Sequence, residues 1–547
     1  MGLTRGSNPN RTRRASNRFQ RCGRCGRCGA QSSTGTSSYW TKVFGRCGVT
    51  SASFLLNGVR VELEGTDPHV TLLDLVRERG LTGTKEGCAE GDCGACTVVV
   101  RETTHPVQGS ALPSAYRAIN GCLALAAQLP GAEVWTVEGV VDTGHGAVRA
   151  ETELHPVQEA IASTGGSQCG FCTPGFVMTM FASYYSPLVA DAQSPDPGGE
   201  VLAGNLCRCT GYRALRAVAT LTSGAGSVDR SEGTDRFARC LQDPVVGAVT
   251  AGLGSAVVAY RPSTLAESIA RRASEPGLRV IAGATDVGVE ITRGFRRYQG
   301  ILSLDAIRDP IFSNCSRAEG SITIGAGVTM TALEDFLRDG GAPLAGHMLP
   351  WFASRQIRNR ATVGGNLMTA SPIGDMSPVW LAHGAVALIG GRSGIREVRV
   401  SDFFTGYRQT AVGADELLVA LRVDDDVVPR GGRRVAFVRK VARRNRVDIS
   451  TVAAAFMVVL DGNERVVSAR FAYGGVAATP LRAIGAEDAL IGAVWRNGDS
   501  HVADARARLG SAFAPLSDHR GSASYRQRLI TGLFDACLAE TATGSDR

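Results

Sequence analysis

The chain has 547 residues, enough for three or four domains that each bury a core. Its net charge of +8 is concentrated at one end, because residues 1–50 contain nine Arg and one Lys but no acidic residue. That segment carries +10, so the rest of the chain sums to −2, and a near-neutral body does not indicate a nucleic-acid-binding protein. No apolar run approaches the roughly 20 residues that a membrane-spanning helix needs.

Residues 1–51 are rich in Arg, Gly, Ser and Cys, and they repeat the triplet Arg-Cys-Gly at residues 21–29. This composition is typical of a disordered basic tail, or of upstream sequence translated from a misassigned start. Metal binding through Cys22, Cys25 and Cys28 is the alternative interpretation.

Beyond the tail, the pattern predicts several domains. Asn57-Gly58 favours a hairpin turn, and a short helix and further strands complete a small α+β domain. The next region has apolar residues at helical spacing, with a cysteine pair at one end of each helix, and residues 192–200 are predicted as a loop. The predicted boundaries are 52–142 for the first domain, 150–222 for the helical domain, 223–254 for a linker, 255–431 for a region of alternating strands and helices, and 432–540 for a final α+β unit.

Eight of the fifteen cysteines form two sets of four. The first set has the C-x4-C-x2-C spacing plus a distant fourth cysteine, which is typical of a plant-type [2Fe–2S] ferredoxin. The second set is a C-x2-C pair followed by a C-x-C pair, and spacing alone leaves zinc and iron–sulfur equally possible there. The candidate ligands are Cys88, Cys93, Cys96 and Cys122 in the first set, and Cys169, Cys172, Cys207 and Cys209 in the second. Cysteines that serve as ligands rather than disulfides indicate a reducing, cytoplasmic location.

The segments GTKEGCAEGDCGACTVVV, GSQCGFCTPGFVM and GNLCRCTGYR resemble the iron–sulfur modules of the molybdenum hydroxylases, which favours iron–sulfur at both sets. Residues 52–540 as a whole resemble the iron–sulfur and FAD-binding small subunit of bacterial xanthine dehydrogenases. The resemblance implies a multi-domain α+β fold. Its parts are a β-grasp ferredoxin domain, a helical-bundle [2Fe–2S] domain, a two-subdomain FAD-binding domain of the PCMH type, and a C-terminal domain like that of CO dehydrogenase flavoproteins.

The resemblance also implies positions for FAD. Residues 280–287, VIAGATDV, are similar to the family's pyrophosphate loop, in which a strand enters a turn whose amides can hold phosphate. A lysine at the N1/C2=O edge of the flavin would stabilise its anionic reduced form. The implied contacts are Val280, Ile281, Ala282, Gly283, Ala284, Thr285, Asp286, Val287, Phe352, Thr362, Gly364, Gly365, Asn366, Asp375, Leu418 and Lys440. Without the resemblance, Gly364-Gly365 could be an ordinary tight turn, and Asp375 could cap a turn.

In function, the resemblance implies that electrons pass from a molybdopterin centre through both clusters to FAD and on to NAD⁺, as in purine catabolism. The molybdopterin and the substrate site would lie on a large partner subunit, in an assembly with two copies of each subunit, so no catalytic residue is expected here. Gln168 matches a position that hydrogen-bonds the pterin. Arg439 and the basic stretch Asn445-Arg446-Val447 depart from the family pattern near the flavin, so the acceptor could be NAD⁺ or O₂. Two alternatives stay open. The chain could transfer electrons for an aldehyde or N-heterocycle hydroxylase, or it could act as a redox sensor.

Overall fold

The computed structural model describes residues 52–103, 114–141, 154–185, 197–224, 235–243, 253–254 and 257–542. All of them fall within one unit of the chain, Thr50–Arg547. The predicted basic tail and its Arg-Cys-Gly repeats lie outside the described residues, as does most of the predicted linker.

The first domain is a mixed five-stranded sheet with one helix against it. Its elements are β1 (Ser53–Leu56), β2 (Val59–Glu62), α1 (Leu72–Glu78), β3 (Thr97–Thr103), β4 (Ser114–Asn120) and β5 (Glu133–Trp135). The strand order is β2-β1-β5-β3-β4, with β1 and β5 parallel. Asn57 and Gly58 both have positive φ, at 52° and 79°, and they form the predicted hairpin turn. Thr71 caps α1 by accepting a hydrogen bond from the backbone of Asp74.

The second domain is helical, as predicted. It contains α2 (Pro156–Ser163), α3 (Thr173–Tyr185), α4 (Pro197–Leu202), α5 (Arg213–Gly224) and α6 (Arg236–Cys240). The prediction of a loop over residues 192–200 is wrong at its end, because Pro197 begins α4; proline suits the first turn of a helix, where its missing N–H costs nothing. Phe176 and Phe181 of α3 pack in one core with Tyr116 of β4, so the two cysteine-bearing domains share their apolar interface.

The third domain contains two larger sheets and one small two-stranded sheet. The first part consists of β6 (Leu253–Gly254), β7 (Val258–Tyr260), α7 (Leu265–Ser274), β8 (Arg279–Ile281), α8 (Val287–Thr292), β9 (Gly300–Ser303) and α9 (Pro310–Ser313). The sheet order is β6-β7-β9-β8, and β9 is parallel to both of its neighbours. Parallel pairing places the loop after β8 at the carboxyl edge of the sheet, where ligands bind in α/β folds.

The second part is antiparallel, with strand order β10-β11-β16-β12-β13. Its elements are β10 (Cys315–Ala318), β11 (Ser321–Gly325), α10 (Met330–Leu337), α11 (Pro343–Met348), α12 (Arg355–Arg358), α13 (Val363–Met368), α14 (Met376–His383), β12 (Val386–Gly391), β13 (Gly394–Arg399), α15 (Val400–Phe403), β14 (Phe404–Gly406), β15 (Gln409–Thr410) and β16 (Leu417–Asp424). Short 3₁₀ turns cover Ala126–Gln128 in the first domain and Leu349–Trp351 here.

The C-terminal domain packs three helices against a four-stranded antiparallel sheet. Its elements are β17 (Arg433–Val441), β18 (Val452–Leu460), β19 (Val466–Gly474), β20 (Leu481–Arg482), α16 (Ile484–Leu490), α17 (Ser500–Leu509) and α18 (Ala523–Thr541). Every residue of β18 is buried, which its run of small and branched apolar side chains permits. The predicted multi-domain α+β fold is confirmed. Among the helices of the described ranges, none is both long and apolar enough to cross a membrane.

Candidate iron–sulfur and flavin sites

The first cysteine set comes together around the loop between α1 and β3. The backbone N–H of Cys88 donates to Cys93 Sγ at 3.3 Å, and Cys96 Sγ lies 3.3 Å from Cys122 Sγ. Gly91 and Gly94 both have positive φ, at 81° and 67°, which lets the loop turn tightly around the sulfur atoms. The four predicted ligands therefore meet as two pairs, which fits a cluster in which each of two irons takes two thiolates.

The loop is built to stabilise a thiolate. The thiol of Cys93 and the backbone N–H groups of residues 90, 92 and 93 hydrogen-bond to Cys88 Sγ and, against the effect of burial, lower the pKa of Cys88 to about 4. The adjacent Cys96 and burial raise the pKa of Cys122 far above its usual range, so one member of that pair keeps its proton when no metal is present.

The second cysteine set lies at the surface of the helical domain. Its contacts are also pairwise, because the Cys172 thiol interacts with Cys207 and the Cys209 thiol with Cys169. Cys169 and Cys209 are exposed, whereas Cys172 and Cys207 are half-buried. Burial raises the pKa of Cys172 to about 12. Among the described residues, no group of three or more His, Cys, Asp and Glu side chains is placed to hold a single metal ion.

The first set is packed directly against the FAD-binding domain. Cys96, Cys122 and Leu123 form a small hydrophobic cluster with Val289 of α8 and Ile357 of α12. Polar contacts join the same two domains, since Thr292 Oγ1 donates to the carbonyl of Ala89 at 2.5 Å. The cysteine loop and two helices of the FAD-binding domain are thus one packed unit.

The predicted pyrophosphate loop begins at β8 and ends at α8. A β-carbon built on Gly283 would lie 1.9 Å from the carbonyl oxygen of Arg360, so only glycine lets these two backbones approach so closely. Ala284 has a φ of +60°, as a sharply turning loop requires. Gln128 of the first domain donates to the carbonyl of Ala282 at 2.5 Å and fixes the loop from the other side.

The second predicted flavin segment is a capped helix. Thr362 accepts a hydrogen bond from Gly365 N at 3.0 Å, so Gly364 and Gly365 lie in the first turn of α13, and the alternative of an ordinary tight turn is wrong. A β-carbon on Gly364 would lie 2.5 Å from Ala326 Cβ, which explains the need for glycine. Asn366 Oδ1 is buried without a hydrogen-bond partner among the described residues. An orphaned buried acceptor fits a polar ligand.

A narrow crevice, too tight for a water molecule, lies between the first domain and these flavin segments. It is lined by Asn120, Leu123, Ala124, Gly283, Thr285, Gln356, Ile357 and Arg360. Two guanidinium nitrogens of Arg360 are buried there without a hydrogen-bond partner among the described residues. Donors and close-packed glycines at one edge of the parallel sheet fit a cofactor with phosphate and ring acceptors such as FAD.

Asp375 and Lys440 form a buried ion pair at the far end of the predicted flavin site. Lys440 Nζ donates to Asp375 Oδ2 at 2.7 Å and to the carbonyl of Trp351 at 3.1 Å. Ser450 donates to the other oxygen of Asp375 at 2.5 Å. The alternative role of Asp375 as a turn cap is wrong, because its side chain makes no capping hydrogen bond. Phe352, the residue after Trp351, is half-buried, and Leu418 is buried in β16.

Sequence reasoning missed a buried charge network at the junction of three domains. Glu200 of α4 accepts from Arg355 at 3.0 Å and also pairs with Arg358 and Arg446. Although burial acts in the opposite direction, the three guanidinium groups hold the pKa of Glu200 below its usual value. No local pattern marked Glu200, because its partners lie more than a hundred residues away in the chain.

Four family models match the chain. They are "2Fe-2S iron-sulfur cluster binding domain" at residues 54–127, "[2Fe-2S] binding domain" at 136–220, "FAD binding domain in molybdopterin dehydrogenase" at 255–424 and "CO dehydrogenase flavoprotein C-terminal domain" at 437–541. Together with the fold, they define an iron–sulfur flavoprotein with two [2Fe–2S] domains and one FAD-binding domain.

Curated relatives extend the match across most of the chain. Xanthine dehydrogenase 2 of Arabidopsis thaliana is 33% identical over 81% of this chain and 36% of its own length. Xanthine dehydrogenase of Drosophila pseudoobscura pseudoobscura is 34% identical over 89% of this chain and 39% of its own length. The chain belongs to the molybdenum hydroxylase family, and it spans less than two-fifths of these relatives.

Two solved structures are similar to about half of the chain. The reconstituted CO dehydrogenase from Oligotropha carboxidovorans is 28% identical, with a TM-score of 0.48, over 53% of this chain and 98% of that one. Quinoline 2-oxidoreductase from Pseudomonas putida 86 is 26% identical, with a TM-score of 0.46, over 52% of this chain and 96% of that one.

Proposed function

We propose that this chain is the electron-transfer component of a xanthine dehydrogenase-like molybdenum hydroxylase, and that it passes electrons from purine oxidation to NAD⁺. The observation that carries the proposal is the packing of Cys96 and Cys122 against Val289 and Ile357 of the FAD-binding domain. The predicted cluster and flavin sites are therefore neighbours in one folded unit, as an electron-transfer series requires.

We assign the two cysteine sets as the ligands of two [2Fe–2S] clusters, and the sixteen predicted flavin residues as FAD contacts. The clusters supply one-electron steps, and FAD supplies the conversion of single electrons into a hydride. The N–H groups around Cys88 stabilise its thiolate, and Gly283 and Gly364 permit close backbone approach to the cofactor. Lys440, held by Asp375, supplies a positive charge beside the flavin ring.

The second cysteine set, at the exposed end of the proposed electron-transfer series, needs a partner protein. Gln168, Cys169 and Cys209 are exposed, and Phe171 beside them leaves 47% of its surface open. A redox site that reaches the surface, beside an exposed aromatic side chain, suits docking of a second protein. We infer that this protein is a large subunit that carries molybdopterin and the substrate site, in a cytoplasmic heterotetramer with two copies of each subunit.

A second candidate acceptor is O₂. The loop after Lys440 is basic, and its Arg446 is held by Glu200, while Arg444 hydrogen-bonds to the carbonyl of Val447. These contacts fix the position of a loop beside the predicted flavin site that is more basic than the family pattern. If it excludes the nicotinamide, electrons would leave to O₂ and the complex would be an oxidase.

The test is an anaerobic NADH titration of the purified, cofactor-loaded chain, followed by visible absorbance, with dithionite as the endpoint. Bleaching of both the flavin band and the iron–sulfur shoulder by NADH would support a nicotinamide site on this chain. Bleaching by dithionite alone would favour O₂ or a site completed by the partner. Hydroxylation of xanthine by the chain alone would contradict the proposed partner, and aldehyde or N-heterocycle turnover by the complex would reassign its substrate.

A further inference from the structure

The two cysteine loops touch through their backbones. The N–H of Leu206 donates to the carbonyl of Cys93 at 2.9 Å. The side-chain amide of Asn205 donates to the carbonyl of Gly94 at 3.1 Å. Leu206 is covalently bonded to Cys207, so one hydrogen bond joins a candidate ligand of the first cluster to the residue preceding a candidate ligand of the second.

Glycines make this approach possible. A β-carbon built on Gly94 would lie 2.1 Å from the carbonyl oxygen of Gly204, and one on Gly175 of α3 would lie 2.3 Å from the carbonyl oxygen of Gly94. Both distances are too short for any real side chain, so a residue larger than glycine would push the first cysteine loop away from Gly204 or from α3. The loop that carries Gly94 is thus packed against Gly204 and against α3 with no room for a side chain.

Gln356, a residue of the FAD-binding domain, supports the contact between the two cysteine loops through hydrogen bonds. Gln356 of α12 is only 1% exposed, and its Nε2 donates to Asn205 Oδ1 at 2.9 Å and to Thr179 Oγ1 at 3.1 Å. Thr179 in turn donates to Asn205 Oδ1 at 2.7 Å. The next residue, Ile357, packs against Cys96 and Cys122. One turn of helix therefore touches the surroundings of both cysteine sets.

We propose that Gln356 is a positioning residue for electron transfer between the two clusters, acting through Asn205 on the Leu206–Cys93 hydrogen bond. This inference rests on the proposed function, since it requires a cluster at each cysteine set. A reduced cluster held at the second set would give up one electron, and an oxidised cluster held at the first set would accept it, with no proton transferred. Electronic coupling between two clusters is stronger along covalent bonds interrupted by one hydrogen bond than across a wider gap. Loosening the Leu206–Cys93 contact therefore slows electron transfer between the clusters.

The test compares the full chain with Gln356→Met, which keeps the side-chain length but removes the amide. The first readout is the spin–spin splitting in the EPR spectrum of the dithionite-reduced protein, and the second is the rate of electron transfer between clusters after a light-triggered pulse of reductant. We expect at least a tenfold slower transfer and a smaller splitting, with unchanged iron content and unchanged principal g values of each cluster. An unchanged rate and splitting in a variant with both clusters present would overturn the inference.

A second variant keeps the proposal testable if Gln356→Met does not fold. Gly175→Ala inserts a methyl group against the carbonyl of Gly94, and we expect it to slow the same step. Its matched control is Gly532→Ala in α18, where a β-carbon meets no atom within 4 Å, and this change should leave rate and splitting as they were. A parent chain that shows only one cluster signal contradicts the proposed function itself. Two signals with unchanged coupling in Gln356→Met contradict only the role of Gln356, and unchanged coupling in Gly175→Ala contradicts the role of the loop contact.

Discussion

Lys440 Nζ lies 2.7 Å from Asp375 Oδ2, and the side chains of both residues are almost fully buried, at 4% and 10% exposure. The two residues are 65 positions apart and belong to different domains, so the ion pair joins the C-terminal domain to the FAD-binding domain at the predicted flavin site. Removing one member of a buried pair leaves the other charge unsatisfied, which typically costs about 3–5 kcal/mol.

We therefore expect Lys440→Met to lower the unfolding temperature of the flavin-free protein and to reduce its FAD content. Asp375→Asn should have a similar effect. The double variant should recover part of the lost stability, because no unpaired charge remains. Thermal unfolding of all four proteins measures the coupling. Strictly additive losses would show that the two charges do not stabilise each other.

Gly283→Ala should damage FAD binding selectively. The new methyl group would lie 1.9 Å from the carbonyl oxygen of Arg360, so the loop after β8 must shift. We expect at least a tenfold loss of FAD affinity, measured by quenching of flavin fluorescence on binding. Gly277→Ala, where a β-carbon meets no atom within 4 Å, is the control and should bind FAD normally. Equal affinities in both variants would place the cofactor elsewhere.

Cys209→Ala should remove the second cluster and leave the first. We expect loss of about two iron atoms per chain and of one of two EPR signals from the reduced protein. Cys240→Ala is the matched control, because Cys240 belongs to neither set and should not change the iron content. Zinc in place of iron at the second set of the parent chain would instead support the alternative that spacing left open.

Glu200→Gln should loosen the junction between the helical domain and the FAD-binding domain. Three guanidinium groups would lose their shared carboxylate, and we expect about 3–5 kcal/mol of destabilisation in urea at pH 7. Because the folded pKa of Glu200 is depressed, its stabilising effect is present above pH 4.5 and disappears as the pH falls through the folded value. Glu464→Gln removes the exposed pair with Arg433 and should cost less than about 1 kcal/mol. Similar losses in both variants would argue against a special junction.

Acid should destabilise the protein partly through His155. Burial lowers its pKa to about 4 from an ordinary value of 6.5, so the unfolded chain binds more protons than the folded chain between these values. Stability therefore falls as the pH drops from 6.5 to 4, by about 3 kcal/mol from this residue. His155→Asn keeps an N-cap acceptor for Val157 but cannot titrate. We expect a flatter profile of unfolding free energy in this window; parallel profiles would exclude His155 as the source.

Local patterns in the sequence were sufficient to establish the class of protein. Cysteine spacing indicates iron–sulfur chemistry because the C-x4-C-x2-C, C-x2-C and C-x-C motifs are each local in the chain. The Asn57-Gly58 turn and helix α3 follow from equally local patterns. The pairing within each cysteine set was not predicted, because it depends on how distant loops meet. The ligand and FAD assignments remain predictions.

The connections between the sites depend instead on how the domains pack. The Leu206–Cys93 hydrogen bond, the contact of Gln356 with Asn205, and the Glu200 network each join residues that are far apart in sequence. Such contacts leave no periodic pattern or motif, since their geometry is set by the packing of whole domains. Local chemistry therefore fixes what each site can bind, whereas the burial of apolar surfaces between domains fixes the order and closeness of the sites.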